Sequence, residues 1–165
     1  MKHAVPIQVI LLFAVVGCNQ GIGTVPVTGS VSFNGELVDL ANVGFIREHG
    51  EQGPAAIAVT DNEGKFELTT GEHEGAMPGR YMVTVQKDSS AHMEFPDPLP
   101  PGITRSGYMR ANNMIPQPLL PLEFASIMET PLRFEVSENE TNHDDINLEG
   151  KVPDRTDAPT APALP

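Results

Sequence analysis

The chain has 165 residues, a formal net charge of −12, a single cysteine and no tryptophan. This length suits one domain with an ordinary core, and a hydrophobic content of 39% is too high for a fully disordered protein. Ten basic residues against 22 acidic ones argue against nucleic acid as a partner, because phosphates need a basic face. A single cysteine excludes a disulfide framework and a cysteine-rich zinc module within the chain.

The first 17 residues have the order of a secretory signal. A basic start at Lys2 is followed by an apolar run over residues 5–16, which is shorter than the roughly 20 residues that span a bilayer. The small residue Gly17 then precedes the predicted cleavage point. We therefore predict a signal peptide over residues 1–17 and a flexible tether over residues 18–26.

The only cysteine of the chain lies at this cleavage point. The segment Val15-Val16-Gly17-Cys18 resembles the lipobox of bacterial lipoproteins, with Val15 where leucine is usual. The resemblance implies that the Cys18 sulfur carries diacylglycerol and that Cys18 becomes the mature N-terminus. Asn19 differs from the aspartate of an inner-membrane retention signal, which implies the outer membrane or the cell surface. An ordinary signal peptide with an incidental cysteine is the alternative.

Period-two alternation predicts seven short strands and an antiparallel β-sandwich. Residues 27–33 place Val27, Val31 and Phe33 on one face, and Asn34-Gly35 is the strongest short hairpin signal. The other strands are predicted around residues 41–45, 56–60, 65–69, 80–87, 132–136 and 146–148.

Two local features refine this prediction. Residues 56–60 and 65–69 flank Asp61-Asn62-Glu63-Gly64, which predicts a hairpin with a turn rather than a calcium loop, because the later bidentate glutamate of an EF-hand is missing. Residues 122–129 are compatible with one or two helical turns, and no other segment competes as a helix.

Two proline-rich segments do not fit a compact sheet. The connection at residues 88–118 contains six prolines and the apolar residues Met93, Phe95, Met109, Met114 and Ile115. Loops of this length are usually functional or disordered, so this one is expected to pack on the domain or to contact a partner, with simple disorder as the remaining alternative. Residues 150–165 have the composition of an extended, disordered tail.

The order of the motifs resembles the carboxypeptidase regulatory-like domain, and most closely its short single-domain lipoproteins from planctomycete bacteria. The resemblance rests on three elements: a Gly29-x-Val31-x-Phe33 opening, a Thr60-Asp61-x-x-Gly64-x-Phe66 element, and the Pro78-Gly79 turn that launches a strand. It covers residues 27–149 and implies a prealbumin-like (transthyretin-like) sandwich without a catalytic residue to carry over. Where the family usually has a glycine near residues 138–143, Asn139 or Asn142 is expected to adopt the left-handed conformation.

Candidate chemistry is sparse. A composite zinc site from the expected loop histidines His49, His73 and His143, and a weak Ca²⁺ site in an acidic cluster, are both minor alternatives. That cluster consists of Glu138, Glu140, Asp144 and Asp145. The chain lacks the Tyr-Arg-Gly-Ser ending of hydroxyisourate hydrolases and the H-x-H motif of intradiol dioxygenases. Tyr81 is therefore expected to pack in the core and not to bind iron together with Tyr108.

These observations predict an exported cell-envelope protein held on the membrane through lipid on Cys18. The predicted fold is all-β: a seven-stranded antiparallel prealbumin-like sandwich over residues 27–149 with a long proline-rich loop. The expected role is a non-catalytic binding or structural module with no metal or cofactor and with an envelope protein or glycan as partner. The alternative is an enzyme or metal-dependent site built from histidine and acidic residues.

Overall fold

The computed structural model describes residues 23–153. The predicted signal peptide, Cys18 with the first part of the tether, and residues 154–165 of the predicted tail lie outside the described residues.

The protein is an all-β sandwich of two sheets, as predicted. Its strands are β1 (Val27–Phe33), β2 (Glu36–Leu37), β3 (Asn42–Arg47), β4 (Ala56–Val59), β5 (Lys65–Glu67), β6 (Thr69–Thr70), β7 (His73–Glu74), β8 (Gly79–Gln86), β9 (Arg133–Val136) and β10 (Asn142–Leu148). Two short α-helices, α1 (Arg105–Ala111) and α2 (Leu122–Ala125), and a 3₁₀ turn at Ser89–His92 complete the fold. The additional strands beyond the seven predicted are pairs of residues.

In the first sheet, β1 pairs with β10 on one side and with β2 and β5 on the other. The β1–β10 pair is parallel, with Val27 beside Asn142 and Phe33 beside Leu148. The prediction of a wholly antiparallel fold is wrong for this pair. Strand β9 lies in the second sheet and ends at the level where β1 begins. The short turn after Val136 crosses to the first sheet at this level, so β10 begins beside the start of β1 and runs in the same direction.

In the second sheet, the strand order is β7-β6-β4-β3-β8-β9, and all neighbours are antiparallel. Its central strands β3 and β8 pair from Asn42 beside Gln86 to Arg47 beside Tyr81.

The predicted hairpin between residues 56–60 and 65–69 is formed only where Ile57 pairs with Thr69. β4 pairs with β3 and β6 in the second sheet, whereas β5 pairs with β1 in the first. Residues 61–64 therefore cross from one sheet to the other. Thr60 fixes this crossing, because its buried hydroxyl donates to the Val38 carbonyl at 2.7 Å and accepts the Ala41 amide at 2.8 Å.

The turn chemistry is confirmed in one place and wrong in another. Asn34 and Gly35 both have positive φ, 50° and 85°, as their hairpin requires. Neither Asn139 nor Asn142 is left-handed. Instead, the buried Asn142 side chain closes the turn after β9, since its Oδ1 accepts the Ser137 amide at 2.8 Å and its Nδ2 donates to the Ser137 carbonyl at 2.9 Å.

The core lies between the sheets and is centred on Phe45. The centroid of its ring lies 6.3 Å from the ring centroid of Phe66, 5.8 Å from that of Tyr81 and 5.6 Å from that of Phe134. Phe66 is buried, and its ring fills space that Gly29 leaves open, where an added Cβ would meet the ring at 2.5 Å. Of the residues predicted on one face of β1, Val27 and Val31 are buried in this cluster and Phe33 is partly buried against it; β8 contributes the buried side chains Tyr81, Val83 and Val85.

The connection at residues 88–118, called the excursion below, has defined structure. Its neck is closed by the Ser89 amide, which donates to the Gln117 carbonyl at 2.9 Å. It contains α1, which the sequence prediction missed; the Thr104 side chain caps this helix by accepting the Gly107 amide. None of its side chains described by the structure is buried. Helix α2, by contrast, falls within the predicted residues 122–129 and inserts Phe124 into the core.

The sandwich has two distinct ends. The described chain enters beside residues 71–79, where Val25 pairs with Ala76, and the turns at residues 48–55 and 137–141 lie at the same level. We call this the entry end. The excursion leaves from Gln86, at the opposite end of β8, which we call the far end.

Candidate functional site

Cys18, the one site residue that the sequence predicts, lies outside the described residues. Between residues 23 and 153, no helix is both long and apolar enough to cross a bilayer.

The outer face of the first sheet carries three polar pairs across the parallel strands β1 and β10. Thr28 Oγ1 lies 3.0 Å from His143 Nδ1, the Ser30 hydroxyl donates to Asp145 Oδ1 at 2.6 Å, and a third pair joins Ser32 Oγ to Asn147 Oδ1 at 2.7 Å. Alternation on both strands places these side chains outward, and the parallel register brings each pair together.

Two of these pairs are joined through His143. Its Nε2 lies 3.1 Å from Asp145 Oδ1, so Thr28, His143 and Asp145 form a continuous chain of hydrogen bonds. With the Nε2 proton donated to Asp145, Nδ1 accepts the Thr28 hydroxyl proton. This is the order of a hydroxyl nucleophile, a base and an orienting carboxylate, and we call it the Thr28 relay.

The Thr28 relay opens on a trench of about 670 Å³. Its opposite side is formed by the loop at residues 61–64 and by β5, with Lys65 Nζ paired to Glu63 at 2.6 Å. The exposed side chains Leu37 and Val59 form an apolar rim. The trench therefore combines a polar floor with an apolar edge.

The electrostatics of the trench favour an ionised Asp145. The Ser30 hydroxyl, and to a smaller extent His143, lower the pKa of this carboxyl, and its partial desolvation opposes them. An acyl-transfer site also needs donors for the developing oxyanion. Residues 28–30 pair with β10 on one side and β5 on the other, so their backbone amides are used within the sheet. The backbone of residues 28–30 therefore supplies no oxyanion hole beside Thr28.

The histidines considered for zinc are not brought together in one loop cluster. His73 lies on β7 at the edge of the second sheet and His143 on β10 of the first, so the expectation that both lie in loops is wrong. His49 follows β3. Among residues 23–153, no group of three or more histidine, cysteine, aspartate or glutamate side chains is arranged to hold a metal ion.

The acidic residues considered for Ca²⁺ are separated by strand alternation. Asp145 points outward, whereas Asp144 lies on the inward row of β10 with Asn142 and Ile146. Burial raises the pKa of Asp144 to about 6, and the neighbouring Asp145 adds to this. In the loop at residues 61–64, Asp61 Oδ1 accepts the Glu63 and Lys65 amides, which is turn chemistry.

Tyr81 is fully buried and lies beneath a second polar cluster, at the entry end. Its hydroxyl donates to the Met77 carbonyl at 2.7 Å and accepts from Arg47 Nη1 at 2.8 Å. The Arg47 side chain, 9% exposed, also pairs with Glu51 at 2.8 Å. Burial raises the pKa of Tyr81. Tyr108 lies on α1 in the excursion, so the two tyrosines belong to different parts of the fold.

The Thr28 relay was missed by sequence reasoning because its members are 115 residues apart and only the parallel register joins them. Alternating polar residues in both strands are visible in the sequence, but their pairing is not.

Comparisons with family models, with curated proteins and with solved structures found no match to this chain.

Proposed function

We propose that this protein is an exported, lipid-anchored component of the cell envelope whose β-sandwich acts as a non-catalytic binding or structural module. The observation that carries the proposal is the position of the chain entry and the excursion at opposite ends of the sandwich. A lipid on Cys18 is at most roughly 25 Å of extended chain from Val25. The entry end would then face the membrane and the excursion would face away from it.

The charge of the entry end agrees with this orientation. Six glutamates lie in or beside its turns, Glu48, Glu51, Glu72, Glu74, Glu138 and Glu140, and three arginines, Arg47, Arg80 and Arg133, pair with Glu48 and Glu51, which leaves an excess of negative charge. Anionic lipid surfaces repel such a face, so the lipid would hold the protein while the domain stands away from the bilayer.

The excursion supplies a partner surface at the far end. Its side chains that the structure describes are all outside the buried core, yet it has a helix, a closed neck and exposed apolar side chains, including Ile103 and Ile115. An apolar groove of about 240 Å³ lies beneath the neck, between Pro118 and α2. A solvated loop does not need this organisation, whereas a contact surface for an envelope protein or glycan does.

The anchor is tested by metabolic labelling and membrane fractionation of the full chain. Cys18→Ser should lose incorporation of labelled fatty acid and leave the membrane fraction. Gln20→Ser, which alters the tether and keeps the thiol, should behave as the unaltered chain does. Retention of Cys18→Ser in the membrane fraction would contradict the proposed anchor.

The module is tested by replacing residues 92–115 with a short Gly-Ser bridge in the anchored protein. We expect unchanged folding and membrane attachment, with loss of cross-links to other envelope components. Ser30→Ala, which alters the trench and leaves the excursion intact, should keep those cross-links. An unchanged cross-linking pattern in the bridged protein would contradict a role for the excursion.

A second candidate function is enzymatic, and the Thr28 relay favours it. Thr28 Oγ1 would attack the carbonyl carbon of an activated ester while His143 takes its proton and Asp145 orients the ring; the ester C–O bond then breaks, the alcohol leaves with the proton from His143, and water hydrolyses the Thr28 acyl ester to release the acid. Hydrolysis of nitrophenyl acetate by the Cys18→Ser chain tests this function. Thr28→Val and His143→Gln should each lower the rate at least about tenfold, whereas Ser32→Ala should not. Equal rates in all variants would contradict it.

A further inference from the structure

Strand β10 forms one edge of the first sheet. It pairs with β1 along seven residues, and within the described part of the chain no strand lies on its other side. An edge strand of this length presents unpaired N–H and C=O groups on which another strand can pair. Side chains of the strand itself pair with only some of these backbone groups; for example, Asn147 Nδ2 donates to the Asp145 carbonyl at 3.1 Å.

Asp144 occupies an unfavourable position on this strand. It lies on the inward row, flanked by the buried Asn142 and Ile146. Within residues 23–153, its carboxylate has no hydrogen-bond or ion-pair partner, whereas the outward Asp145 has both Ser30 and His143. Partial burial without a partner destabilises the ionised form, so an asparagine at this position would suit the isolated domain better.

The surroundings of Asp144 offer no compensation. The adjacent segment of β1 presents Thr28, Gly29 and Ser30, none of which is charged. The charged groups that act on the carboxyl are its own strand neighbours, Asp145 opposing ionisation and His143 favouring it. These neighbours therefore do not offset the free-energy cost of partly burying the Asp144 carboxylate in the folded monomer.

We propose that Asp144 prevents β10 from pairing edge to edge with β10 of a second copy of this chain. An added strand would cover the half-buried carboxylate and remove its remaining water, which is costly for an unpaired charge. Inward-pointing charges on edge strands are a known device against such pairing. This inference does not depend on the lipid anchor or on the excursion.

The second copy is the competitor because the strand is suited to pair with itself. In an antiparallel register centred on Asp145, Asp144 of each copy lies next to Ile146 of the other, and Asn142 opposes Leu148. Without the Asp144 charge, the inward rows of both copies carry only uncharged side chains, and the core residues Ile146 and Leu148 of each copy lie beside residue 144 and Asn142 of the other. In this register Asp145 of one copy faces Asp145 of the other. Their repulsion opposes pairing less than Asp144 does, because Asp145 is solvent-exposed and has His143 beside it.

The test uses the full chain carrying Cys18→Ser, so that lipid does not drive association. Sedimentation velocity at neutral pH over a wide range of protein concentration should find the parent chain monomeric and Asp144→Asn dimeric, a twofold change in mass. Hydrogen exchange should show new protection of the amides of residues 142–148 in the dimer. Glu67→Gln, which removes one negative charge from β5 of the same sheet, should remain monomeric.

Asparagine matches aspartate in size, so the variant is expected to fold, and circular dichroism checks this. A folded, monomeric Asp144→Asn at all concentrations would overturn the proposal. A dimeric parent chain, a dimeric Glu67→Gln, or an Asp144→Asn dimer without protection at β10 would also overturn it.

Discussion

The sandwich and the excursion both contain aromatic and apolar residues, but they are held together in different ways. In the sandwich, Phe45 contacts rings from three other strands: strand pairing in the second sheet brings it to Tyr81 and Phe134, and packing of the two sheets brings it to Phe66. In the excursion, Phe95 packs edge-on against Tyr108 at 6.1 Å with Arg105 over its ring at 5.2 Å, and all three lie within 14 residues.

The sandwich therefore determines the stability of the fold, whereas the excursion forms a surface. In the sandwich, the rings of Phe45, Phe66 and Tyr81 are buried and Phe134 is partly buried, so burial of this cluster contributes strongly to the free energy of unfolding. The rings of the excursion remain partly exposed and organise a local surface without supporting the core. Substitutions of the same kind should therefore have very different effects in the two regions.

Phe66→Ala should produce the largest effect. Removing a buried aromatic ring and leaving a cavity typically lowers the free energy of unfolding by about 3–5 kcal/mol. Phe95→Ala in the excursion is the matched change, and we expect a loss of less than about 1 kcal/mol. Urea unfolding of both variants measures the difference, and similar losses would contradict the separation of the two regions.

Arg47→Met should have the next largest effect. It removes the buried donor to Tyr81 and the partner of Glu51, which should lower the free energy of unfolding by about 2 kcal/mol. Arg105→Met removes a cation from an exposed ring in the excursion and should cost less than about 0.5 kcal/mol. Equal thermal melts for the two variants would show that the Arg47 cluster adds no stability.

Asp144→Asn should stabilise the sandwich in a pH-dependent way. Because the folded-state pKa of about 6 lies above the ordinary value of 3.8, the folded state binds a proton more tightly than the unfolded state. In the parent chain, the free-energy penalty of the ionised Asp144 is present above about pH 6 and disappears below the unfolded-state pKa. The stability of the parent chain therefore rises as the pH falls from about 6 to 3.8. Solvent screening of the half-exposed carboxyl limits the gain at neutral pH to about 1 kcal/mol. Melts at low protein concentration, which avoid association, should show this gain at neutral pH and none in acid.

Replacing residues 92–115 with a Gly-Ser bridge should have the smallest effect on stability. The neck at Ser89 and Gln117 is kept, and closing a shorter loop slightly lowers the entropy cost of folding. We expect a cooperative β-sheet unfolding transition within about 1 kcal/mol of that of the parent chain. Lost stability together with binding of the dye ANS would show that the excursion covers the core.

Much of the sandwich could be predicted because alternation is a local signal. The inward rows of β1, β3 and β8 follow directly from residues such as Val31, Val43 and Val83. Pairing is not local. The sheet change at Thr60 and the parallel β1–β10 register depend on contacts between distant segments, so most of the predicted hairpin pairing and the wholly antiparallel arrangement were wrong.

The polar sites were harder to predict for the same reason. The Thr28 relay requires the register of β1 against β10, which no single segment specifies. Helix α1 was missed because it has no buried face and therefore no 3.6-residue apolar pattern, and its start depends on a single capping hydroxyl at Thr104. The lipid on Cys18 stays a prediction.

The parallel pairing of β1 with β10 has a mechanical consequence. The described chain enters β1 at the entry end and leaves β10 at the far end, so tension between Val25 and Gly150 pulls the two strands along their length in opposite directions. Such a load shears all seven residue pairs together, whereas a load across a hairpin opens its pairs one at a time. The domain should therefore resist stretching between these points far better than stretching across the β3–β4 connection, as an optical-trap or atomic-force measurement would detect.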